Sequence, residues 1–267
     1  LGPGFDIHCG GLDLVFPHHE NEIAQYEAAH DTTFARHWMH NGMVQMGDAK
    51  MSKSVGNVVG LADAVAEWGA GPLRLWYLSA QHRTPLLFDE DRLVEARTVF
   101  ERFTTFVRSA RLVVTDDAPD LDAAAEHREA FIAAMDDDIN VTSAVAALHE
   151  LVTDGNDRLG AAAKGDAEQR AAVSGLLATM LELSDEVLGL GLGDALVASR
   201  VTEARMAPLV ETMLQTRTTA RAERDFATAD QIRDQLAAAG VVVEDSPDGA
   251  RWYASPTWSV PDTAPES

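Results

Sequence analysis

Apolar and polar positions change their spacing along the chain, and each change predicts a different kind of structure. Residues 1 to about 60 mix glycine, histidine and aromatic residues, which indicates strands, loops and one helix. In this part Glu20–His30 is predicted to be the helix and Trp38–Met46 an extended segment. The polar stretch 47–57 that follows is predicted to be a loop.

A helical period replaces this mixture from Leu61 onward. Pro72 suits the first turn of a helix, so a helix is predicted to restart there. Asp89–Val114 is predicted to be one long amphipathic helix, because its apolar residues recur at helical spacing. Its predicted buried stripe comprises Leu93, Val94, Phe100, Phe103 and Val107.

The acidic segment 116–122 contains a proline and is predicted to be a linker. Beyond it, apolar residues recur at helical spacing on three successive faces, which predicts a helical bundle. The faces comprise Phe131, Ile132 and Met135; then Val141, Val145, Leu148 and Val152; and finally Leu176, Leu177, Met180, Leu181 and Leu188.

The last part of the chain has a mixed pattern. Phe226–Ala239 is predicted to be a helix, with Asp225 as its N-cap and Gly240 at its C-terminal end. Two short strands joined by a turn, Val241–Val243 and Arg251–Tyr253, are predicted to form a hairpin. This part is therefore predicted to be a small α/β module, followed by a loose tail.

The chain is strongly acidic: its 267 residues carry a formal net charge of −22. Taken alone, this charge argues against a nucleic-acid partner, because binding to phosphates requires clustered cations. A local basic face can nevertheless hold a nucleic-acid backbone on an acidic protein. The net charge therefore weakens the case for such a partner without excluding it.

Cys9 is the only cysteine, so the chain forms no internal disulfide, which fits a reducing cytoplasm. No run of about 18 apolar residues is present, and we expect no membrane span. No basic segment followed by an apolar one indicates a secretory signal. We therefore predict a cytoplasmic protein.

Lys50–Ser54, with the sequence Lys-Met-Ser-Lys-Ser, lies in the polar loop between Gly47 and Gly56. Such a loop can close its two ammonium groups over phosphates. When a carboxylate attacks the α-phosphate of ATP, the nucleophile is already ionised, so the reaction needs alignment and positive charge rather than a base. A solvated surface loop is the alternative for two lysines near serines.

This lysine string resembles the KMSKS signature of class I aminoacyl-tRNA synthetases. The resemblance implies that Lys53 contacts ATP, with Mg²⁺ accompanying the triphosphate, and that Lys50 helps the loop to close. Both lysines are therefore candidates for the catalytic step.

Phe16–Glu22, with the sequence Phe-Pro-His-His-Glu-Asn-Glu, follows the glycine-rich run Asp6–Asp13. If a helix begins near Pro17, His18 and Glu22 are four residues apart and share one face. An imidazole and a carboxylate at this spacing can both reach one Zn²⁺. A polar helix start without a metal is the alternative for this spacing alone.

Together these strings resemble the signature of cysteinyl-tRNA synthetases. In that family zinc holds the thiolate of the substrate cysteine, and its protein ligands are two cysteines, a histidine and a glutamate. His18 and Glu22 match the last two ligands, and His8 and Asp13 match residues that line the amino-acid pocket. Because zinc binds a thiolate far better than a hydroxyl, the resemblance implies that serine is rejected at this site.

Cys9 occupies a position where the family usually has glycine, so it is predicted to be a small residue in a tight turn and not a zinc ligand. Both cysteine ligands of the family belong upstream of Leu1, and so does its ATP-binding His-x-Gly-His motif, which this sequence lacks. We interpret Leu1, which lies inside a motif, as a truncated start. We therefore expect the chain alone to bind zinc poorly, because two ligands seldom suffice, and to be inactive.

Two later segments extend the resemblance. Phe131–Leu148, with its acidic triplet, resembles the helical domain after the catalytic core, although such a triplet is usually a helix cap and a solvated turn. Arg224–Arg233 resembles the family's anticodon-binding region. Trp252 and Arg251 are candidates for tRNA binding, because aromatic rings and arginines bind unstacked RNA bases. Trp252 is equally compatible with a core aromatic on the small sheet.

The predicted fold class is α/β plus all-α: the C-terminal part of a Rossmann-like class I catalytic domain, a helical bundle, and a small α/β anticodon-binding module. The catalytic part with the lysine loop is predicted at 1–60, and a helical stem-contact region at 61–115. The bundle is predicted at 116–205 and the anticodon-binding module, with its tail, at 206–267. We expect a monomer.

The leading hypothesis is a cysteine–tRNA ligase that uses ATP to activate L-cysteine and transfers it to the 3′ end of its tRNA. A second is the related ligase that joins cysteine to a glucosaminyl-inositol in mycothiol synthesis, although the intact histidine string and the C-terminal module favour the tRNA enzyme. A non-catalytic tRNA-binding fragment is the third. A zinc hydrolase built on His18, His19 and Glu22 leaves the lysine loop unexplained.

Overall fold

A computed structural model describes residues 4–46, 49–50, 59–114, 118–246 and 249–254. The predicted tail and most of the predicted lysine loop lie outside these residues. Within them, no helix is both long enough and apolar enough to cross a membrane. The described elements form an N-terminal α/β part, a set of packed helices and a C-terminal helix–hairpin module, in agreement with the predicted fold class.

The N-terminal part is a βαβ unit. Two parallel strands pair from Phe5 opposite Ala35 to Gly11 opposite Asn41, and the helix predicted at Glu20–His30 connects them. Parallel strands require such a crossover, and this unit is the building block of Rossmann-like domains. Its elements are β1 (Phe5–Gly11), α1 (Glu20–His30) and β2 (Ala35–Asn41).

The extended segment predicted at Trp38–Met46 is divided into two strands by a break at Gly42. The Gly42 N–H donates a hydrogen bond to the carbonyl of His82 (2.8 Å), and a Cβ on Gly42 would overlap the carbonyl of Thr84. Glycine is therefore required where the chain leaves the first sheet. The second sheet consists of β3 (Val44–Met46), the antiparallel β4 (Ala49–Lys50) and the parallel β5 (Leu86–Leu87).

Three helices occupy the region predicted to be helical from Leu61 onward. They are α2 (Leu61–Trp68), α3 (Ala70–Tyr77) and α4 (Glu90–Val113). Pro72 lies in the first turn of α3, although the helix begins slightly earlier, at Ala70. Asp89 caps α4 by accepting a hydrogen bond from the backbone N–H of Asp91 (2.9 Å).

The prediction that Val94 belongs to the buried stripe of α4 is wrong, because Val94 is 40% exposed. Successive residues of an α-helix are rotated by about 100°, so the residue after the fully buried Leu93 points away from the stripe. The buried face of α4 comprises Leu93, Ala96, Phe100, Phe103, Thr104, Phe106, Val107 and Ala110.

The predicted bundle is confirmed, and it shares one apolar core with α2, α3 and α4. Its helices are α5 (Ala125–Asp136), α6 (Val141–Ala163) and α7 (Ala167–Leu181). Gly155 allows α6 to approach α4 closely, because a Cβ there would overlap the ring of Phe106. Ile132, predicted to lie on an apolar face, is instead 39% exposed beside the buried Phe131.

The C-terminal module is confirmed in detail. It consists of α8 (Leu192–Ala222), α9 (Phe226–Ala238), and the antiparallel hairpin of β6 (Val241–Ser246) and β7 (Gly249–Ala254). Asp225 caps α9 by accepting from the Thr228 N–H (3.1 Å), and Gly240 follows the helix with a φ of 72°. The predicted boundary between residues 205 and 206 falls inside α8, and the four domain bounds remain predictions.

Candidate active site

Strand β1 and the start of α1 bring His8, His19 and Glu22 together. One ligand-type atom from each of these side chains lies within 4.8 Å of the other two. The Nε2 of His8 is 3.0 Å from Oε2 of Glu22. The strand and the helix are adjacent because only the short turns Leu12–Leu14 and Val15–His19 separate them. Within the described part of the chain, this group has the geometry to hold a metal ion.

His18 also contacts Glu22, as the four-residue spacing predicts. Its Nε2 lies 3.5 Å from Oε1, so the two carboxylate oxygens of Glu22 face two different imidazoles. The side chain of His18 is 59% exposed, whereas the neighbouring His19 is buried. Glu22 is therefore shared between an exposed and a partly buried histidine.

His19 is the buried centre of the group. Its Nδ1 lies 2.8 Å from Nε2 of His40, which β2 supplies. Burial lowers the pKa of His19, and the neighbouring His8 and His40 lower it further, whereas the charge of Glu22 opposes this shift. A neutral imidazole keeps a nitrogen lone pair for a metal ion or a hydrogen-bond donor. We refer below to His8, His18, His19, His40 and Glu22 as the histidine cluster.

Aromatic rings enclose one side of the histidine cluster. Trp38 stacks on His40, with ring centroids 5.9 Å apart and planes inclined by 11°, and its ring lies 4.8 Å from that of His8. The buried Phe34 lies 4.9 Å from His8. Side chains alternate between faces along a strand, and His8 pairs directly with Trp38 in the parallel register. The register therefore aligns the imidazoles with the aromatic rings.

The glycine-rich run is a strand, which corrects the prediction of a tight turn at Cys9. Cys9 lies inside β1 opposite Met39, and its side chain is exposed. Because strand residues alternate, Cys9 points away from the face that carries His8. Gly10 shares the face of His8, and a Cβ there would lie only 2.7 Å from Cε1 of His19. Glycine at position 10 therefore allows the His19 ring to lie against the strand.

Asp13 lies just beyond β1, in the turn Leu12–Leu14, and is exposed. Its carboxylate lies against Gly11, where an added Cβ would be 2.6 Å from Oδ1 of Asp13. Ligands of open parallel sheets bind outside the carboxyl ends of the strands, which is where Asp13 lies. His8, the second predicted pocket residue, lies inside β1 and belongs to the histidine cluster.

The described residues include the first of the two predicted loop lysines. Lys50 is the last residue of β4 and pairs opposite Gln45 of β3. Lys53 lies outside the described residues. Only Gly42 and Met43 separate β2 from β3, and β4 follows shortly after. The start of the lysine loop is therefore only ten residues from His40 in the sequence.

The two predicted tRNA-binding residues lie on β7. Trp252 is half-buried and packs with Met206, Met213 and Val243 against the core of the C-terminal module. This packing supports the interpretation of Trp252 as a core ring, and tRNA contact by Trp252 and Arg251 stays a prediction. A different aromatic residue, Phe226, is 61% exposed at the first position of α9.

Sequence reasoning gave no role to His40 or to Phe226. For His40 a signal existed, because Trp38 and His40 are two residues apart in a predicted extended segment and therefore share a face. Its partner His19, however, comes from a turn 21 residues earlier. For Phe226, the capping pattern predicted the helix but not the direction in which the ring points.

Comparison with protein families gives three matches in chain order. Residues 1–98 match the family described as tRNA synthetases class I (C) catalytic domain. Residues 130–193 match the DALR domain, and residues 204–252 match the cysteinyl-tRNA ligase anticodon binding domain. The matched catalytic region contains the whole histidine cluster and both lysines.

The individual relatives that the chain matches are named cysteine–tRNA ligases. The chain is 48% identical over 263 residues to the cysteine–tRNA ligase of Beutenbergia cavernae, covering 94% of this chain and 53% of that protein. It is 46% identical over 256 residues to that of Paenarthrobacter aurescens, covering 94% and 51%, and 41% identical over 268 residues to that of Moorella thermoacetica, covering 96% and 55%. The chain thus spans about half the length of the curated relatives it matches.

A more distant likeness concerns the fold alone. The crystal structure of a LeuRS–tRNA–LeuAMS ternary complex from Agrobacterium radiobacter superposes with a TM-score of 0.54 at 20% identity, over 70% of this chain and 26% of that one. The agreement of this fold with the three ordered family matches and the named relatives leads to one conclusion. The chain belongs to the cysteine–tRNA ligase family of class I aminoacyl-tRNA synthetases.

Proposed function

We propose that this chain serves in the ATP-dependent attachment of L-cysteine to the 3′ end of its tRNA. The observation that carries the proposal is the histidine cluster between β1 and the start of α1, within a region that matches a class I synthetase catalytic domain. A cluster of imidazoles around one carboxylate suits recognition of a thiol through a borderline-soft metal. The anticodon-binding match at 204–252 supports tRNA, rather than a glucosaminyl-inositol, as the acceptor.

The first step joins cysteine to ATP. The carboxylate of cysteine forms a bond to the α-phosphorus of ATP, the bond to the β-phosphate oxygen breaks, and pyrophosphate leaves. The carboxylate is already ionised, so the chain need only align the reactants and offset the charge that develops on the triphosphate. Lys53 would contact ATP and Lys50 would help to close the loop over it. Mg²⁺ would accompany the triphosphate.

The residues of the histidine cluster fit a zinc ion. Histidine nitrogens and glutamate oxygens are ordinary zinc ligands, and burial lowers the pKa of His19, which favours a neutral imidazole beside them. His18 and Glu22 are the proposed ligands. His8 and His19 lie within reach of the same carboxylate, and the ring of Trp38 lies beside His8. Zinc bound there would supply a soft Lewis acid that prefers the thiolate of cysteine to the hydroxyl of serine.

The other cluster residues would position the amino acid. His8 holds Glu22 through a 3.0 Å contact, so it orients the carboxylate from the strand side. Asp13 lies at the carboxyl end of the strand, where an acidic group suits the ammonium of the substrate. The neighbouring rings of Trp38 and Phe34 would limit the access of water on this side.

The second step transfers the cysteinyl group. A ribose hydroxyl at the 3′ end of the tRNA attacks the activated carbonyl, and AMP leaves. The C-terminal module would hold the anticodon through Arg251, Trp252 and the exposed ring of Phe226, because aromatic stacking binds unstacked bases without the need for high net positive charge. The division at 1–60, 61–115, 116–205 and 206–267 is part of the same proposal, as are a monomeric state and a cytoplasmic location.

The proposal is tested by cysteine-dependent exchange of pyrophosphate into ATP. In the full-length gene product supplied with zinc, cysteine should support exchange and serine should not. Lys53→Ala should reduce the exchange rate by about 100-fold or more, the scale of losing one transition-state charge contact. Exchange that is unchanged in Lys53→Ala would remove the lysine loop from the mechanism.

A further inference from the structure

The turn between α5 and α6 has an unusual backbone. Asp138 and Ile139 both have a φ of 55°, a left-handed conformation that β-branched residues avoid. The Ile139 N–H donates to the carbonyl of Met135 (3.1 Å), and Asn140 caps α6 by accepting from the Ser143 N–H (3.2 Å). The acidic triplet is therefore held in a defined conformation, beyond what a helix cap requires.

This conformation presents Asp138 to the loop that connects α3 to β5. The guanidinium of Arg83 donates from Nη2 to Oδ1 (2.9 Å) and from Nη1 to Oδ2, and Gln81 donates from Nε2 to Oδ2 (3.2 Å). The hydrogen bond from Arg83 lowers the pKa of Asp138, which keeps the carboxylate ionised. Three donors from one loop thus converge on one carboxylate of the bundle.

The same loop, residues 81–86, holds the end of β2. The Gly42 N–H donates to the His82 carbonyl (2.8 Å), and the Leu86 N–H donates to the Met43 carbonyl (3.0 Å). Gly42 also lies so close to Thr84 that no side chain fits between them. The 81–86 loop is therefore bonded to Asp138 on one side and to the end of β2 on the other.

The end of β2 carries a member of the histidine cluster. His40 lies two residues before Gly42 and contacts the buried His19 at 2.8 Å. A series of direct contacts thus leads from Asp138 through the 81–86 loop and Gly42 to His40 and His19. We propose that Asp138 is a positioning residue, which fixes the 81–86 loop so that His40 stays in contact with His19.

Stabilisation of the fold is a weak explanation for this arrangement. The side chains of Arg83 and Asp138 are 51% and 55% exposed, and exposed ion pairs contribute little to the free energy of unfolding. The bundle offers a matched control in Arg128 and Glu182, whose side chains are 48% and 42% exposed and 2.7 Å apart. This control pair connects α5 to the end of α7, on the bundle itself.

The first test follows amide hydrogen exchange in the full-length gene product. Asp138→Asn keeps a residue that tolerates positive φ but removes the charge. Exchange should become about three- to fivefold faster in peptides that cover 40–46 and 81–87, the scale of losing one exposed ion pair. Glu182→Gln should leave both peptides unchanged. Arg83→Ala should act like Asp138→Asn, and the double variant should add little, because one contact is removed in all three.

The second test uses the proposed function and separates positioning from stability. In cysteine-dependent pyrophosphate exchange, Asp138→Asn should raise the KM for cysteine about three- to fivefold and leave the KM for ATP unchanged. Arg83→Ala should raise the KM for cysteine to a similar extent, and Arg83→Lys, which keeps one donor, should raise it less. Glu182→Gln should change neither constant.

The outcomes of these tests distinguish the positioning role of Asp138 from the proposed function. If amide hydrogen exchange in residues 40–46 is unchanged in both Asp138→Asn and Arg83→Ala, the positioning role is overturned, whether or not the enzyme activates cysteine. If amide hydrogen exchange in residues 40–46 is faster in these variants, but the unaltered protein does not activate cysteine, the positioning role is supported and the proposed function is rejected. A change in KM equal to that of Glu182→Gln would likewise overturn the role of Asp138.

Discussion

Among single residues, Glu22 connects the members of the histidine cluster. Its two carboxylate oxygens face His8 at 3.0 Å and His18 at 3.5 Å, while His19 completes the group of close ligand atoms. A carboxylate shared in this way organises its neighbours whether or not a metal is present. Loss of Glu22 should therefore affect every metal-binding property of the cluster.

We predict that Glu22→Ala and His18→Ala each weaken zinc binding by more than the roughly 10- to 100-fold that is typical of changing an outer-shell partner. Each variant removes a proposed ligand atom from the zinc. Zinc affinity is measured in the full-length gene product by competition with a chromophoric chelator. His30→Ala is the matched control, because His30 is an exposed histidine at the other end of α1.

The same titration distinguishes the two adjacent histidines. If His19→Ala abolishes binding while His18→Ala has no effect, the ligand assignment is wrong and the buried imidazole binds the metal. Loss of binding in His18→Ala with a folded His19→Ala protein that retains zinc supports the assignment.

The sequence could predict the contact between His18 and Glu22 but not the one between His19 and His40. The first depends only on helical spacing over four residues. The second depends on the parallel register of β1 and β2, which no local pattern specifies. The strand conformation of Cys9 was missed for a related reason: glycine-rich runs are typical of turns, whereas here glycine makes room for a side chain from another element.

At the scale of elements, α4 packs against helices on both sides of it in the chain, namely α3, α6, α7 and α8. Three of its five arginines each contact a different neighbour. Arg97 lies over the ring of Trp68 (5.1 Å), Arg102 donates to Thr153 of α6 (3.0 Å), and Arg108 lies over the ring of Tyr253 in β7 (3.3 Å). These three guanidinium groups thus make contacts within the fold.

We predict that Phe103→Ala lowers the free energy of unfolding by about 3–5 kcal/mol, because the ring is fully buried in α4 and its removal leaves a cavity. Leu112→Ala, in the same helix at a position that is 68% exposed, should change it by less than about 0.5 kcal/mol. Chemical denaturation of the two variants provides the comparison. Similar losses in both would mean that α4 does not form the centre of the core.

The cap of α9 gives a prediction about pH. Hydrogen bonds from the Thr228 hydroxyl and then its backbone N–H lower the pKa of Asp225 in the folded chain. A lowered pKa stabilises the folded state above the unfolded pKa of aspartate, about 3.9, and this contribution is lost as the pH falls through the folded pKa. Asp225→Ala should therefore lower the thermal midpoint at pH 7 and have a smaller effect in acid.

Asp225→Asn is the matched control for this prediction. Asparagine caps helices about as well as aspartate but has no charge to lose. Its thermal midpoint should show less dependence on acid than that of the unaltered protein. An effect of Asp225→Ala that is the same at neutral and acidic pH would contradict the assigned cause of the shift.

Most elements were predictable because their signals are local. The helix at Glu20–His30 and the capped helix with its hairpin at the C-terminus follow from spacing, caps and turns. The break at Gly42 was not predictable, because it depends on a hydrogen bond to His82, 40 positions later in the chain and on another element. The long-range contacts that decide the site are those that the sequence pattern leaves open.

On the scale of the whole molecule, the proposed catalytic and anticodon-binding parts are far apart in sequence and meet on one scaffold. The bundle and the helices α2 to α4 share a single core, and β7 contacts α4 through Tyr253 and Arg108. A continuous connection of this kind is what the proposed function requires, because both ends of one tRNA would then be bound by the same protein. With a net charge of −22, the proposed tRNA binding would depend on local contacts, as expected from the sequence.

The most direct measurement is the attachment of labelled cysteine to bulk tRNA by the full-length gene product, with ATP, Mg²⁺ and zinc present. We predict label on the tRNA that depends on ATP, is not formed with serine, and is lost in Lys53→Ala. A folded, zinc-loaded protein that transfers no cysteine to tRNA would contradict the proposed function, and transfer to a glucosaminyl-inositol instead would identify the sugar ligase.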